Sequence, residues 1–242
     1  MYLKDYLKEL VFPATCAGCG ETAGRQICPE CLLALPLIPA PACAGCACPT
    51  LYPVPVCNEC RKRRLALDAT VALAFYRDPM RSVIHRFKYR NGRRLAPLLA
   101  ALLSTRLEER EKEAGLPEIV DGVTFVPMHP RRERERGYNQ ARLLAEELAR
   151  YRGLDCRSLL TRSKATPAQT GLSHAQRLGN LKGCIEAREE KALSGTFLLV
   201  DDVFTTGTTL SECARALKRA GAQSVIACVL ARDLPLIPAV SE

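Results

Sequence analysis

From residue 65 onward the hydrophobic positions fall into two alternating textures. "ATVALAFY" (69–76) is short, alternating and rich in β-formers, which predicts a strand. "LAPLLAALLSTRLEEREK" (95–112) repeats apolar residues at helical spacing in an Ala, Leu and Glu composition, which predicts a helix. By the same criteria "GVTFVP" (122–127) is a strand and "YNQARLLAEELARY" (138–151) a helix. "GTFLLVDDV" (195–203) is a buried strand, "TLSECARALKRAGA" (209–222) a helix closed by Gly221, and "SVIACVLAR" (224–232) a further strand. Strand, loop, helix, strand in that order predicts an α/β domain whose parallel sheet carries helices on both faces.

The first sixty residues have no such texture. "MYLKDYLKELVF" (1–12) predicts a short amphipathic helix, and its Lys4, Asp5, Lys8 and Glu9 break up the apolar core a signal peptide needs. "LLALPLIPAPA" (32–42) is interrupted by Pro36, Pro39 and Pro41 and falls short of the ~20 residues that span a bilayer. The expectation is a cytoplasmic chain without membrane insertion.

What the N-terminal segment has instead is cysteine. Of 13 cysteines in the chain, eight form CxxC pairs: Cys16 and Cys19, Cys28 and Cys31, Cys43 and Cys46, Cys57 and Cys60. Two intervening residues let one tight turn aim two sulfurs at one tetrahedral ion, and four thiolates close a structural zinc shell with no open position for catalysis. Disulfides are the competing reading, which a reducing compartment and the repeated CxxC spacing oppose. One or two structural Zn²⁺ ions are expected, with sequential pairing the simplest arrangement and interleaving of the first and third pairs the alternative. Cys48 is a spare thiol beside the second set, and the isolated Cys156, Cys184, Cys213 and Cys228 are expected to be small core residues. A segment this poor in apolar residues draws its folding free energy from the metal. The organisation expected is 1–64 for the N-terminal helix and double zinc ribbon, 65–236 for the α/β domain, and 237–242 for a tail.

The net charge of +9 is uneven. Counting Lys and Arg against Asp and Glu, residues 61–110 carry 13 and 4, a balance of +9, and residues 121–182 carry 12 and 6, a balance of +6. Both ends are mildly acidic. A basic middle implies either a phosphate-rich partner or a solvated Arg-rich face.

Chemistry concentrates in "FLLVDDVFTTGTTL" (197–210), where an apolar strand runs into two carboxylates and then into threonines around one glycine. It falls where a parallel strand ends and a helix begins, the place where open α/β sheets bind ligands. Hydroxyls and backbone N–H groups of Thr205, Thr206, Gly207, Thr208 and Thr209, with the positive end of the following helix, suit a phosphate. Asp201 and Asp202 suit sugar hydroxyls and a Mg²⁺ ion beside them. Successive strand side chains point to opposite faces, so both aspartates meet one ligand only if the chain leaves strand geometry there. A phosphorylated ribose satisfies both halves; the competing reading is a helix cap with Asx-turns.

"LLVDDVFTTGTT" closely resembles the phosphoribosyl-pyrophosphate (PRPP) motif of type I phosphoribosyltransferases. With the four CxxC pairs, "IHRFKYRNGRRLAPLLA" (84–100), "HPRRERERGYNQARLLAEELA" (129–149) and "PAQTGLSHAQRLGNLKG" (167–183), the chain resembles the ComF family, which joins a cysteine ribbon to such a domain. The resemblance implies a parallel-sheet type I phosphoribosyltransferase fold. It also implies Asp201 and Asp202 on the ribose 2′ and 3′ hydroxyls with Mg²⁺ nearby, and the 205–209 loop on the 5′-phosphate. Arg131, Arg132 and Arg136 correspond by order to the pyrophosphate loop; Arg162, Lys164 and Arg177 correspond to the flexible loop that closes over the reaction. "TFVP" in place of a doubled Val-Pro, and Tyr138 in place of Phe, depart from the family pattern. No purine or pyrimidine signature is visible, and His85, His129 and His174 read as surface or hydrogen-bonded residues rather than general bases. Two functions follow. One is a PRPP-binding phosphoribosyltransferase-like protein linked to competence and DNA uptake. The other is a non-catalytic single-stranded-DNA-binding competence factor with a ligand-sensing or vestigial PRPP site, which would use Arg86, Lys88, Arg90 and Arg93 with Phe87 and Tyr89 between them. Against that stands an amphipathic helix with Phe87 inside. Competence proteins are expected partners in both cases.

Overall fold

The structure, a computed structural model, describes residues 15–89, 92–114, 116–117, 119–162, 184–188 and 193–234. The expected N-terminal helix and tail therefore lie outside the described residues, as do Arg90, Lys164, His174 and Arg177.

Four parallel strands form the central sheet: β1 (Ala69–Phe75), β2 (Gly122–Phe125), β5 (Thr196–Phe204) and β6 (Ser224–Arg232), in the order β1-β6-β5-β2. A single parallel bridge between Val123 and Cys156 extends it beyond β2. A short antiparallel pair, β3 (Leu160–Arg162) and β4 (Ile185–Ala187), stands apart.

Strand alternation divides the core in two. Leu198 and Val200 of β5, with Ile226, Cys228 and Leu230 of β6, face α3 (Met80–Lys88), α4 (Ala96–Ala114) and α6 (Gln140–Arg152), meeting Phe87, Leu99, Leu103, Leu144 and Leu148. Phe197 and Leu199, with Val225, Ala227 and Val229, face α7 (Thr208–Arg219), meeting Leu210, Cys213, Ala214 and Leu217. This is the α/β sheet with helices on both faces that the pattern predicts. Of the isolated cysteines, Cys184, Cys213 and Cys228 are buried and Cys156 is half-buried.

The cysteine-rich segment wraps the β1 edge. It contains α1 (Pro29–Leu33) and α2 (Asn58–Arg63), each beginning at a cysteine pair. Ile38 donates to Leu73 O at 3.1 Å, Phe75 to Pro36 O at 2.8 Å and Thr70 to Ala44 O at 2.7 Å, so the strand's outer N–H and C=O groups are matched rather than open to other chains. Cys16, Cys28 and Cys31 join the core on the α4 side, whereas Cys43, Cys46 and Cys60 join the core on the α7 side. The two knuckles thus straddle the sheet edge. Among the described residues no helix is long and apolar enough to cross a membrane.

Candidate functional site

The sulfur atoms of Cys16, Cys19, Cys28 and Cys31 lie within 4.8 Å of one another, and so do those of Cys43, Cys46, Cys57 and Cys60. The pairing is sequential. Separations of 4.0 Å for Cys19 to Cys28, 4.0 Å for Cys43 to Cys60 and 3.8 Å for Cys46 to Cys57 match the roughly 3.8 Å between sulfurs bound tetrahedrally at about 2.3 Å from zinc. Backbone N–H groups point at the sulfurs: Cys28 donates to Cys16 Sγ at 3.2 Å and Cys57 to Cys43 Sγ at 3.2 Å. Burial opposes ionisation of Cys16, yet the N–H groups of Cys28, Cys19 and Gly18 hold its thiol down at about 6. A hydrogen bond from the Cys46 thiol, reinforced by the Cys57 N–H, holds Cys43 down at about 4. Cys28, Cys31, Cys46 and Cys60 are held above the ordinary value. One thiolate per set is therefore favoured without metal, and it is the sulfur spacing that fits structural zinc. Cys48 is outside both sets of four.

The second site is a cleft of about 270 Å³ at the carboxyl end of β5 and β2. Asp201, Asp202, Thr205, Gly207, Thr208 and Thr209 line one wall, and Lys88, His129, Arg132, Arg136 and Arg162 surround them. β5 continues through Phe204, so the aspartates keep strand geometry and point to opposite sides of the sheet. Contrary to the expectation, the chain does not leave the strand there, and both carboxylates line the cleft because it opens at the strand's carboxyl end. Asp202 is buried on the α3 and α6 side, where Lys88 Nζ lies 2.8 Å from its Oδ1 and Gln140 Nε2 donates to its Oδ2. Asp201 turns the other way, where its field reaches Cys213 and Arg162. Its Oδ1 accepts the Asp202 N–H at 2.8 Å. Burial, and then the neighbouring Asp202 charge, push the Asp201 carboxyl up to about 7. Burial works against the Lys88 charge, but Asp202 outweighs it and raises the amine above its ordinary value.

The motif "GYNQ" explains how the cleft is held. Gly137 ends α5 (Pro130–Arg136) in the left-handed conformation at φ 84°. Tyr138 OH donates to Phe87 O, tying this turn to α3. Asn139 caps α6 through Oδ1, which accepts from Ala141 and Arg142, while its Nδ2 donates to Val126 O at the end of β2. Gln140 bridges Asp202 and Arg136 Nη1. Arg136 in turn lies over the Tyr89 ring, 5.0 Å from its centroid.

The turn at the head of α7 is built around Gly207, with φ 78°. A Cβ there would meet Phe204 Cζ at 2.5 Å, so glycine is required by both conformation and space. Among the described residues α7 has no side-chain cap at Gly207; apart from the Thr208 N–H, which Thr206 Oγ1 accepts, its first backbone N–H groups have no intrahelical partner. Thr206 Oγ1 bonds Thr208 Oγ1 at 2.9 Å and accepts the Thr208 N–H at 3.4 Å, fixing the turn's shape. Among the described residues lining the cleft are Thr205, Thr208 and Thr209 but not Thr206.

The structure separates other residues that the sequence grouped. Arg132 and Arg136 reach the cleft, whereas Arg131 sits on the outer face of α5, paired with Glu135 at 2.9 Å. Arg162 lines the cleft, its guanidinium pushed below the ordinary value by burial and by Arg132. In the basic stretch, Phe87 is fully buried and unavailable to stack on a base. Lys88 belongs to the cleft; Arg86 donates to Thr15 beside the first knuckle. Arg93 lies over the Tyr138 ring at 4.9 Å and donates to Gly137 O. Tyr89 is 47% exposed, with His85 at 5.1 Å. His129 caps α5, its Nδ1 accepting the Arg131 N–H at 3.2 Å. Gln140 and Asn139 escaped the sequence reading; their only signal is their place directly after the Gly137 turn.

Comparison with known families agrees with this arrangement. Residues 136–235 match the phosphoribosyl transferase domain and residues 7–62 the double zinc ribbon domain. The class is therefore a phosphoribosyltransferase-type domain carrying a double zinc ribbon. Competence protein F of Haemophilus influenzae is 32% identical over 224 residues, covering 90% of this chain and 95% of its own. DNA utilization protein YhgH of Salmonella typhi is 34% identical over 194 residues, 79% of this chain and 84% of its own. Competence protein ComFC of Bacillus subtilis is 29% identical over 217 residues, 86% of this chain and 85% of its own. The chain belongs to this competence protein F (ComF) and YhgH family.

Proposed function

We propose that the cleft binds PRPP or a closely related phosphoribosyl ligand, and that the chain serves DNA utilization through a phosphoribosyltransferase-type step or by sensing that ligand. One observation carries the reading: a carboxylate pair and an uncapped helix start, six residues apart in sequence, face a single cleft ringed by Lys88, Arg132, Arg136 and Arg162. Carboxylates accept from the ribose diol, the 205–209 turn donates to the 5′-phosphate, and Arg132 and Arg136 meet the pyrophosphate as bidentate donors. Both Asp202 oxygens are engaged by Lys88 and Gln140, so among the described residues lining the cleft Asp201 is the carboxylate with an oxygen left for a hydrated Mg²⁺, which would take its remaining ligands from water and phosphate oxygens. The donor set fits that ion, whose chemistry when bound is to neutralise the pyrophosphate. Meanwhile Lys88 pairs with Asp202 and fixes its carboxylate in place, and the arginines stabilise charge gathering on the departing group.

Ribose 5-phosphate and pyrophosphate, titrated separately and then together, test this division of the cleft. Each should bind, and saturating one should leave a site for the other. Mutual exclusion, or absence of binding by both, contradicts it.

A second reading, single-stranded DNA binding, is favoured by exposed Tyr89 with Arg81, Arg93 and Arg94 exposed along the same segment, and by the competence and DNA utilization names of the relatives. With Phe87 buried and Lys88 in the cleft, the interface narrows to those outer residues. Arg93→Ala with Arg94→Ala should weaken single-stranded DNA binding and flatten its salt slope by about one to two. An unchanged slope removes this reading.

A further inference from the structure

Arg232, the last residue of β6, is 3% exposed and lies outside the cleft. Its Nε donates to Cys46 O at 3.1 Å, within the second zinc knuckle. Its Nη1 donates to Phe204 O at 3.0 Å and also to Thr205 O, the two carbonyls that open the anion-binding turn. Asp233 O is a further acceptor, and the guanidinium stacks on the Phe204 ring at 4.4 Å from its centroid. That same ring is the one against which Gly207 packs. One planar, buried cation therefore holds a zinc-ligand backbone with one edge and the start of the turn with the other. Lysine, a point donor on a flexible stem, cannot reproduce this fork.

Two neighbouring contacts run in parallel. Beyond the knuckle, Ala66 N donates to Ser211 Oγ in the first turn of α7 at 2.9 Å. Leu65 Cδ1 stands 3.2 Å from where a Gly207 Cβ would be. The first knuckle has no such connection among the described residues: it packs on the α4 side of the sheet, and its recorded side-chain link is Arg86 to Thr15. The two knuckles, alike in ligands, differ in what they touch.

We infer that Arg232 is a positioning residue that couples the second zinc knuckle to the anion-binding turn, so that zinc at Cys43, Cys46, Cys57 and Cys60 and a phosphoribosyl ligand in the cleft each strengthen the other's binding. The inference rests on the proposed PRPP site. Its physical basis is that binding at either place orders the same backbone: zinc fixes Cys46 O, phosphate fixes the 205–209 turn, and the guanidinium makes the two geometries one. Such linkage is reciprocal, so a factor by which zinc raises PRPP affinity is the factor by which PRPP raises zinc affinity.

The test uses the zinc-loaded full chain. A chelator is added in the presence of a thiol-alkylating reagent, with and without saturating PRPP, and alkylation of each cysteine peptide is followed by mass spectrometry. PRPP binding is measured in parallel by calorimetry. Expected is a slowing of alkylation by about threefold or more at Cys43, Cys46, Cys57 and Cys60, with Cys16, Cys19, Cys28 and Cys31 unchanged. Arg232→Met should keep both zincs but weaken PRPP binding about tenfold and abolish the protection; Arg232→Lys should recover only part of it. If Arg232→Met does not fold, the wild-type protection pattern decides alone. PRPP binding with equal alkylation of both knuckles, or protection of the first knuckle as well, overturns the coupling and leaves the site reading intact. No PRPP binding at all overturns the site reading and the coupling with it.

Discussion

Replacing Asp201 by Asn separates what the carboxylate does for a ligand from what it costs the unliganded fold. The Asp201 carboxyl is raised from 3.8 to about 7 by burial and by the adjacent Asp202 charge. A group whose folded value is raised favours folding fully below the unfolded value. That contribution is lost as pH rises through the folded value, so ionised Asp201 opposes folding above about pH 7. At 1.36 kcal/mol per pH unit the difference reaches about 4 kcal/mol, an upper bound because water in the open cleft screens the charge. Asp201→Asn keeps the volume and removes the titration. Denaturant unfolding of the zinc-loaded chain without ligand should therefore show the variant about 1–4 kcal/mol more stable than wild type at pH 8, and nearly equal at pH 4. PRPP affinity should move the opposite way, falling about 10- to 100-fold with the loss of charge-assisted hydrogen bonds to the diol. A stability gain identical at both pH values refutes the raised carboxyl. Undiminished PRPP affinity refutes its place in the ligand site.

Lys88→Met leaves Asp202 buried without its cation and should weaken PRPP binding about tenfold, while single-stranded DNA affinity stays within twofold; the reverse pattern would return Lys88 to a nucleic-acid face. Gly207→Ala forces an L side chain to φ 78° against Phe204 and should cost about 1–3 kcal/mol of stability, measurable as a lowered unfolding midpoint together with lost phosphate binding. Cys16→Ser and Cys57→Ser should each reduce zinc content from two ions to one per chain by elemental analysis. Each should also open only its own knuckle to proteolysis; retention of two ions contradicts the assignment of ligands.

β5 and β6 were legible as unbroken apolar runs bounded by turn residues, α6 and α7 by an apolar face at helical spacing, and α4 by its length and Ala, Leu and Glu composition. β6 runs over the expected 224–232, and β5 differs by one residue at each end. The zinc ligands were legible because CxxC spacing is local. α5 was not, since Pro130–Arg136 is charged throughout and buries no residue, leaving no hydrophobic period to read. β3 and β4 are three residues each, too short for a pattern. In the site, Asp201, Asp202 and the Gly207 turn announce themselves by composition at a strand end. Lys88 misled because its neighbours Arg86, Arg93 and Tyr89 suggest a basic surface; only the crossing of α3 over β5 shows that its amine meets Asp202. Gln140 and Arg232 likewise act across 62 and 27–28 residues of sequence, respectively, through contacts no local spacing encodes.

Calorimetric titration of PRPP with Mg²⁺ into the zinc-loaded full chain is the most direct test of the phosphoribosyl site. One ligand should bind per chain, and the heat should vanish when Asp201→Asn and Asp202→Asn are combined in a protein that still folds. No heat at millimolar PRPP with wild type, or equal heat with the double variant, contradicts a phosphoribosyl site at the end of β5.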